Sequence, residues 1–224
     1  MSQWSVLKSE IQKILDDASF ETGGSMESYL LTWANRIVED ICLEVNIRNH
    51  LVSGTATFTS GGNHYQSLPS DWLKPSKRFT RVTYDENEIP IIPLDELNGL
   101  DPDHDDTTTG SYPEYCSIDA GYLYIYPKWD GTLQIRDYYR KPTDMSNDTD
   151  TPDLPFASSG LVDDLIVFGV VGKYGFPSLN EKELALQYWN EHPWYLGMFQ
   201  RQLIRYQALL RANEGKPKIK SEYF

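Results

Sequence analysis

The chain has 224 residues, 40% hydrophobic and 13% aromatic, with a formal net charge of −13. That length fills one large domain or two small ones with an adequate core. The acidity argues against a protein built to grip nucleic acid, since phosphate affinity rests on Lys and Arg.

No apolar run approaches the ~20 residues that a membrane-spanning helix needs, and MSQWSVLKSEIQKILDD lacks the basic start and apolar stretch of a secretory signal. The expectation is a chain made and folded in a cytoplasm, with no stable membrane insertion. Cys42 and Cys116 lie far apart and are expected to be reduced there. His50, His64, His104 and His192 have no ligand spacing with them, so neither a metal nor a cofactor is expected.

The first quarter reads as helix. Leu7, Ile11, Ile14 and Leu15 share one face over 2–18, and FETGGS breaks the pattern. Met26, Tyr29, Leu30, Trp33, Ile37, Ile41 and Val45 then recur in steps of three or four, predicting a helix to about Asn49. Ser25 is placed to cap it, with Glu27 in its first turn.

From Val52 the period becomes two. Thr55, Thr57 and Thr59 alternate with Ala56 and Phe58, and Gly61-Gly62-Asn63 reads as a turn. Trp72 anchors a connecting loop. Phe79–Tyr84 and Ile89–Pro93 read as short strands around Asp85-Glu86-Asn87. Pro90 and Pro93 cannot donate to a ladder, which makes the second strand short or an edge.

Asp101, Asp103, Asp105 and Asp106 imitate a calcium loop. Counted from Asp101, the sixth and twelfth positions are Asp106 and Tyr112, not the required Gly and Glu, so a solvated loop is expected. In GYLYIYPKWDGTLQIRDYYRKP, Tyr122, Tyr124 and Tyr126 point to one side, and Leu123 and Ile125 to the other. The stretch reads as a hairpin folded about Asp130-Gly131, with Leu133 and Ile135 sharing the aliphatic face.

Lys141 to Pro155 is a linker by composition. Helix returns with Leu161, Val162, Leu165, Ile166 and Phe168. Gly169 and Gly172 would let another segment come close, and Gly175 and Pro177 would end the helix. Ser178 to Glu181 has the form of a capping box before another helix, which Pro193 kinks or divides. A last helix over 194–213 carries Phe199, Leu203, Tyr206 and Leu210, and Gly215 stops it. After it, KPKIKSEYF is extended and hydrophilic with an aromatic tip, and cannot build a core alone.

The fold class expected is α+β: an antiparallel helical bundle with an inserted antiparallel β-sheet or sandwich and an extended C-terminal tail. The expected boundaries are 1–51 and 155–214 for the bundle, 52–142 for the β insertion, 143–154 for the linker and 215–224 for the tail.

Motifs for chemistry are sparse. Gly23-Gly24 and Gly61-Gly62 lack the Lys-Ser/Thr of a phosphate loop, and there is no Gly-x-Ser-x-Gly elbow. Glu114 and Asp119 among tyrosines imitate a glycosidase pair, although chance pairs are inevitable among 33 acidic residues. The tyrosine strand could stack bases. Yet no Lys or Arg occurs from Val82 to Pro127, which favours sheet packing or a subunit contact.

The order of features resembles the head-to-tail adaptor proteins of tailed bacteriophages, particularly the tail tubular protein A type of short-tailed phages. LPSDWLKPSKR, IPIIPLDEL, the block Tyr112–Thr143 and LPFASSGLVDDLIVFGVVGKYG carry the resemblance, over about 25–214. It implies a non-enzymatic virion protein, made in the host cytoplasm and placed at the portal vertex. Its partners would be the portal protein, a tail nozzle or tubular protein, and copies of itself in a ring of about twelve, with DNA only as passing cargo.

It also implies a C-terminal segment that binds portal, here Lys216, Lys218, Ile219, Lys220, Tyr223 and Phe224, and a contact face at Tyr122, Tyr124, Tyr126 and Tyr138. The alternatives are a virion-borne cell-wall glycosidase and a carbohydrate-binding β module.

Overall fold

A computed structural model describes residues 3–59, 63–76, 80–100, 110–157, 159–189, 191–192 and 195–213. The fold is α+β. By internal contacts the chain divides into two units, Met1–Ile47 with Pro142–Phe224, and Arg48–Lys141.

In the first unit, α1 spans Trp4–Leu15 and α2 spans Glu27–Glu44. α1 buries Trp4, Leu7, Ile11 and Leu15, and α2 buries Leu30, Ala34, Ile37, Val38, Ile41 and Cys42, the i, i+3, i+4 stripes of amphipathic helices. Ser25 does not cap α2: Met26 is the N-cap, with no side-chain bond. Glu27 reaches back instead, accepting a hydrogen bond from the Gly23 N–H at 2.6 Å and pairing with Lys8 of α1. Those two partners, Lys8 first, hold its carboxyl below the ordinary range.

Helix α4, Gly160–Val170, continues through a π-helical turn, Val171–Gly175, into the single turn α5, Phe176–Ser178. The helical path therefore passes Gly175 and ends after Ser178, one residue beyond Pro177, the other expected stop. Gly169 and Gly172 do permit close approach. A Cβ on Gly169 would lie 2.6 Å from Ile37 of α2, and one on Gly172 would lie 2.7 Å from the backbone nitrogen of Trp189.

The expected capping box does not form. Ser178 Oγ donates to the Gly175 carbonyl at 2.6 Å, and Asn180 turns left-handed before α6, Lys182–Tyr188. A two-residue bridge joins β9, Glu191–His192, to β10, Tyr195–Leu196, while Pro193 lies outside the described residues. Helix α7, Met198–Asn213, buries Phe199, Leu203, Tyr206 and Leu210, the four positions its spacing predicts. α4 contacts α1, α2 and α7.

Residues 142–154 carry no helix or strand but are held in place. Met145 is buried and exchanges backbone hydrogen bonds with the Asn35 side chain at 3.0 and 2.9 Å. The Trp4 N–H donates to the Asp150 carbonyl.

The second unit contains two sheets. In the first, β1 (Leu51–Phe58), β3 (Trp72–Pro75), β4 (Arg81–Tyr84), β5 (Asn87–Ile89) and β8 (Gly131–Arg140) form the order β1-β8-β4-β5, with β3 also on β8. In the second, β7 (Tyr122–Tyr126) lies between β2 (Tyr65–Ser67) and β6 (Tyr115–Asp119). A short helix, α3, spans Leu94–Leu100. The turn residues Asp85 and Glu86 both have positive φ, the geometry of a tight two-residue hairpin between β4 and β5. β5 is the edge strand that its prolines predict.

The strands expected to pair about Asp130-Gly131 belong to different sheets. β7 turns back on β6 through Ala120-Gly121, both left-handed, while β8 leaves to pair with β1, β3 and β4. Gly131 serves another purpose: a Cβ there would collide with the Trp129 ring at 2.1 Å. The aliphatic residues still meet. Leu123, Ile125, Leu133 and Ile135 enter one cluster with Phe58, Val82, Ile89, Cys116 and Trp129. A core fed by two inner sheet faces is that of a sandwich.

Candidate functional site

β7 places alternate tyrosines opposite to its core residues. Its register sets Tyr65 of β2 beside Tyr124, and Tyr126 beside Tyr115 of β6. Ring centroids of Tyr65 and Tyr122 lie 5.4 Å apart, Tyr65 and Tyr124 5.7 Å, and Tyr122 and Tyr124 6.4 Å. His64 joins at 5.8 Å from Tyr124. Such tilted and edge-on pairs contribute about 0.5–1.5 kcal/mol each beyond burial. The result is a preformed aromatic face, with Tyr122 exposed and Tyr124 and Tyr126 half-buried. His64 and Tyr65 were not foreseen in it, because only the long-range β2–β7 pairing brings them there.

Tyr138 does not belong to this face. It is 1% exposed, stacks on Trp72 at 4.8 Å, and donates its hydroxyl to Asp71 Oδ1 at 2.7 Å. Burial first, and the Asp71 carboxylate second, raise its pKa. The reason for its placement is one residue upstream. Strict alternation would carry the inward side of β8 from Leu133 and Ile135 to Asp137. Asp137 instead adopts φ 59° where the β1 register shifts, a bulge that turns Tyr138 inward. The Thr80 hydroxyl donates to the Asp137 carbonyl, and Arg81 pairs with its carboxylate at 3.3 Å.

A cleft of about 670 Å³ opens beside β5. Asp85, Glu88 and Glu114 line it with Tyr84, Tyr112 and Tyr115, and among the described residues no cation lines it. Both cysteines are buried, and burial pushes the Cys116 thiol up to about 12, where it is a poor nucleophile. No group of three potential metal-ligating side chains occurs among the described residues. No helix among them is long and apolar enough to cross a membrane. Asp101, Asp103, Asp105 and Asp106 lie outside the described residues, as do Lys216, Lys218, Ile219, Lys220, Tyr223 and Phe224.

The family model described as SU10 adaptor protein matches residues 2–211. The chain belongs to the SU10 adaptor protein family. The match takes in residues of both units. Among curated proteins, none matches the chain significantly. Membership makes it a phage adaptor, a structural protein and a virion component. It does not extend to the tail tubular protein A type.

The glycosidase alternative fares poorly at its named pair. Glu114 precedes β6 and Asp119 ends it. Five residue steps of extended chain set their backbones about 17 Å apart, against the ~5–9.5 Å between paired carboxyls in glycosidases.

Proposed function

We propose that this adaptor assembles as a ring of about twelve copies between the portal and the tail tube, in the manner of the tail tubular protein A type, and that DNA passes through the ring. The helical unit forms the ring body. The tyrosine face, Tyr122, Tyr124 and Tyr126, contacts a neighbouring copy or the next tail component. The segment carrying Lys216, Lys218, Ile219, Lys220, Tyr223 and Phe224 docks on the portal at the vertex, after synthesis in the host cytoplasm.

The observation that carries this reading is the preformed aromatic face on a chain of an adaptor family. Aromatic residues at low rotamer cost are the usual anchors of protein interfaces. A ring also needs two different surfaces on each copy, because its contacts are head-to-tail. A net charge of −13 suits a conduit, since DNA slides past acidic walls without lasting phosphate contacts.

Electron microscopy of the protein mixed with its portal tests the reading. Rings seated on portal are expected; an undecorated portal would remove the proposal. Tyr124→Ala gives up its ring pairs with His64, Tyr65 and Tyr122 and should cost about 1.5–4.5 kcal/mol of folding stability; among copies that remain folded it should still lower ring yield several-fold. Normal assembly of that variant would free the face from any role in contact.

A further inference from the structure

The acidic cleft has features that the tyrosine face lacks. Its carboxylates Asp85, Glu88 and Glu114 stand among the rings of Tyr84, Tyr112 and Tyr115, and the adjoining β5 is the last strand of its sheet. A terminal strand presents backbone groups that an extended segment can extend, here over the short stretch before Pro90 and Ile92 bond to Cys116 of β6. The occupant such a cleft fits is therefore extended, cationic on one side and apolar on the other.

The chain itself carries that pattern. In KPKIK, Lys216, Lys218 and Lys220 alternate with Pro217 and Ile219. In an extended conformation the three lysines fall on one side. Three cations then match three carboxylates. Pro217, which has no N–H to donate, is tolerated in a strand added at an edge.

We propose that residues 216–220 of one copy lie along β5 of a second copy, with their lysines in the cleft of Asp85, Glu88 and Glu114. This rests on the ring reading and changes one part of it: the lysines bind the neighbouring copy instead of the portal, and Tyr223 and Phe224 alone remain for the portal. Magnitudes explain why the contact belongs to the assembled state. Exposed ion pairs contribute about 0.2–1 kcal/mol each, so three of them cannot hold two free copies together. Copies already held side by side in a ring meet the same contact at an effective concentration in the ~mM range.

The test mixes isotopically heavy and light full-length protein, assembles it on portal, and applies a zero-length carboxyl–amine cross-linker. Heavy–light products joining Lys216, Lys218 or Lys220 to Asp85, Glu88 or Glu114 are expected. Glu88→Lys should cut their yield at least several-fold, Glu88→Gln less, and Glu88→Lys combined with Lys218→Glu should restore it. Glu88 is exposed on an edge, so these substitutions should leave the core of the β unit intact.

Rings in which these lysines join only other carboxylates, or join the cleft only within one copy, would overturn the inference and leave the ring intact. Absence of rings by microscopy would instead remove the ring reading, and this contact with it.

Discussion

The helical unit packs around one helix, α4, and the β unit packs around one strand, β8. α4 meets α1, α2 and α7 through side-chain stripes, and takes in its closest neighbours where Gly169 and Gly172 lack a Cβ. β8 meets β1, β3 and β4 through backbone ladders, and a single bulge at Asp137 determines which of its side chains reach the core. A helical centre is thus specified by residue size, and a strand centre by register. The two should break in different ways.

The largest effect is expected at Tyr138, the aromatic that the bulge turns inward. Tyr138→Ala removes a ring with 1% exposure and its stacking on Trp72, and should cost about 3–5 kcal/mol. Tyr138→Phe removes only the hydroxyl bond to Asp71 and should cost about 1 kcal/mol. Denaturant unfolding measures both. Near-equal losses would mean that the hydroxyl, not the packed ring, secures this position.

In the helical unit the corresponding break is an added side chain. Gly172→Val would push carbon into the Trp189 backbone and the Tyr188 Cβ, both within 3 Å of the position a Cβ would take. Backbone yields less readily than a side-chain tip, so a loss of about 1–3 kcal/mol is expected. An unchanged midpoint would show that the 188–189 segment moves away at little cost.

The bulge gives a smaller and sharper test. At φ 59° a β-branched residue is strained, and Asp137→Val should cost about 1–2 kcal/mol, part of it from the lost Arg81 pair. Asp137→Gly keeps the backbone and should cost less. A reversal of that order would mean that the side chain, rather than the backbone angle, maintains the bulge.

The same contrast explains what could be read from the sequence. α7 was legible because Phe199, Leu203, Tyr206 and Leu210 repeat at helical spacing whatever they pack on. The β5 edge was legible because Pro90 follows it and cannot donate. Pairing was not. β7 and β8 are neighbours in sequence with matching alternation, yet their partners lie in different sheets. A turn signal at Asp130-Gly131 cannot be told locally from a glycine needed beneath Trp129. Within the tyrosine face, Tyr122, Tyr124 and Tyr126 followed from alternation along one strand. Tyr138 was misplaced because one left-handed residue shifts that count, and Asp is among the residue types that tolerate it. Caps failed for a related reason. Ser25 and Ser178 have the right residue type, but Glu27 and the Gly175 carbonyl offered other partners.

The smallest predicted effect concerns charge inside the apolar stripe of α4. Asp164 is half-buried and accepts a hydrogen bond from Gln202 of α7 at 3.1 Å. Burial first, then the charge of Asp163, raise its pKa, and Arg205 pulls it back in part. A carboxyl whose pKa is higher folded than unfolded keeps its proton longer in the folded state. Its penalty is absent below the unfolded value, grows as pH rises to the folded value, and is complete at neutral pH. Asp164→Asn keeps an oxygen for Gln202 and removes the charge. It should raise the melting temperature by about 1–2 °C at neutral pH, and the gain should vanish as pH falls below the ordinary aspartate range. A gain that persists in acid would trace the effect to packing between α4 and α7 instead of to ionisation. A loss at neutral pH would mean that Arg205 outweighs burial, so that the pair of acids on α4 helps to hold α7 in place.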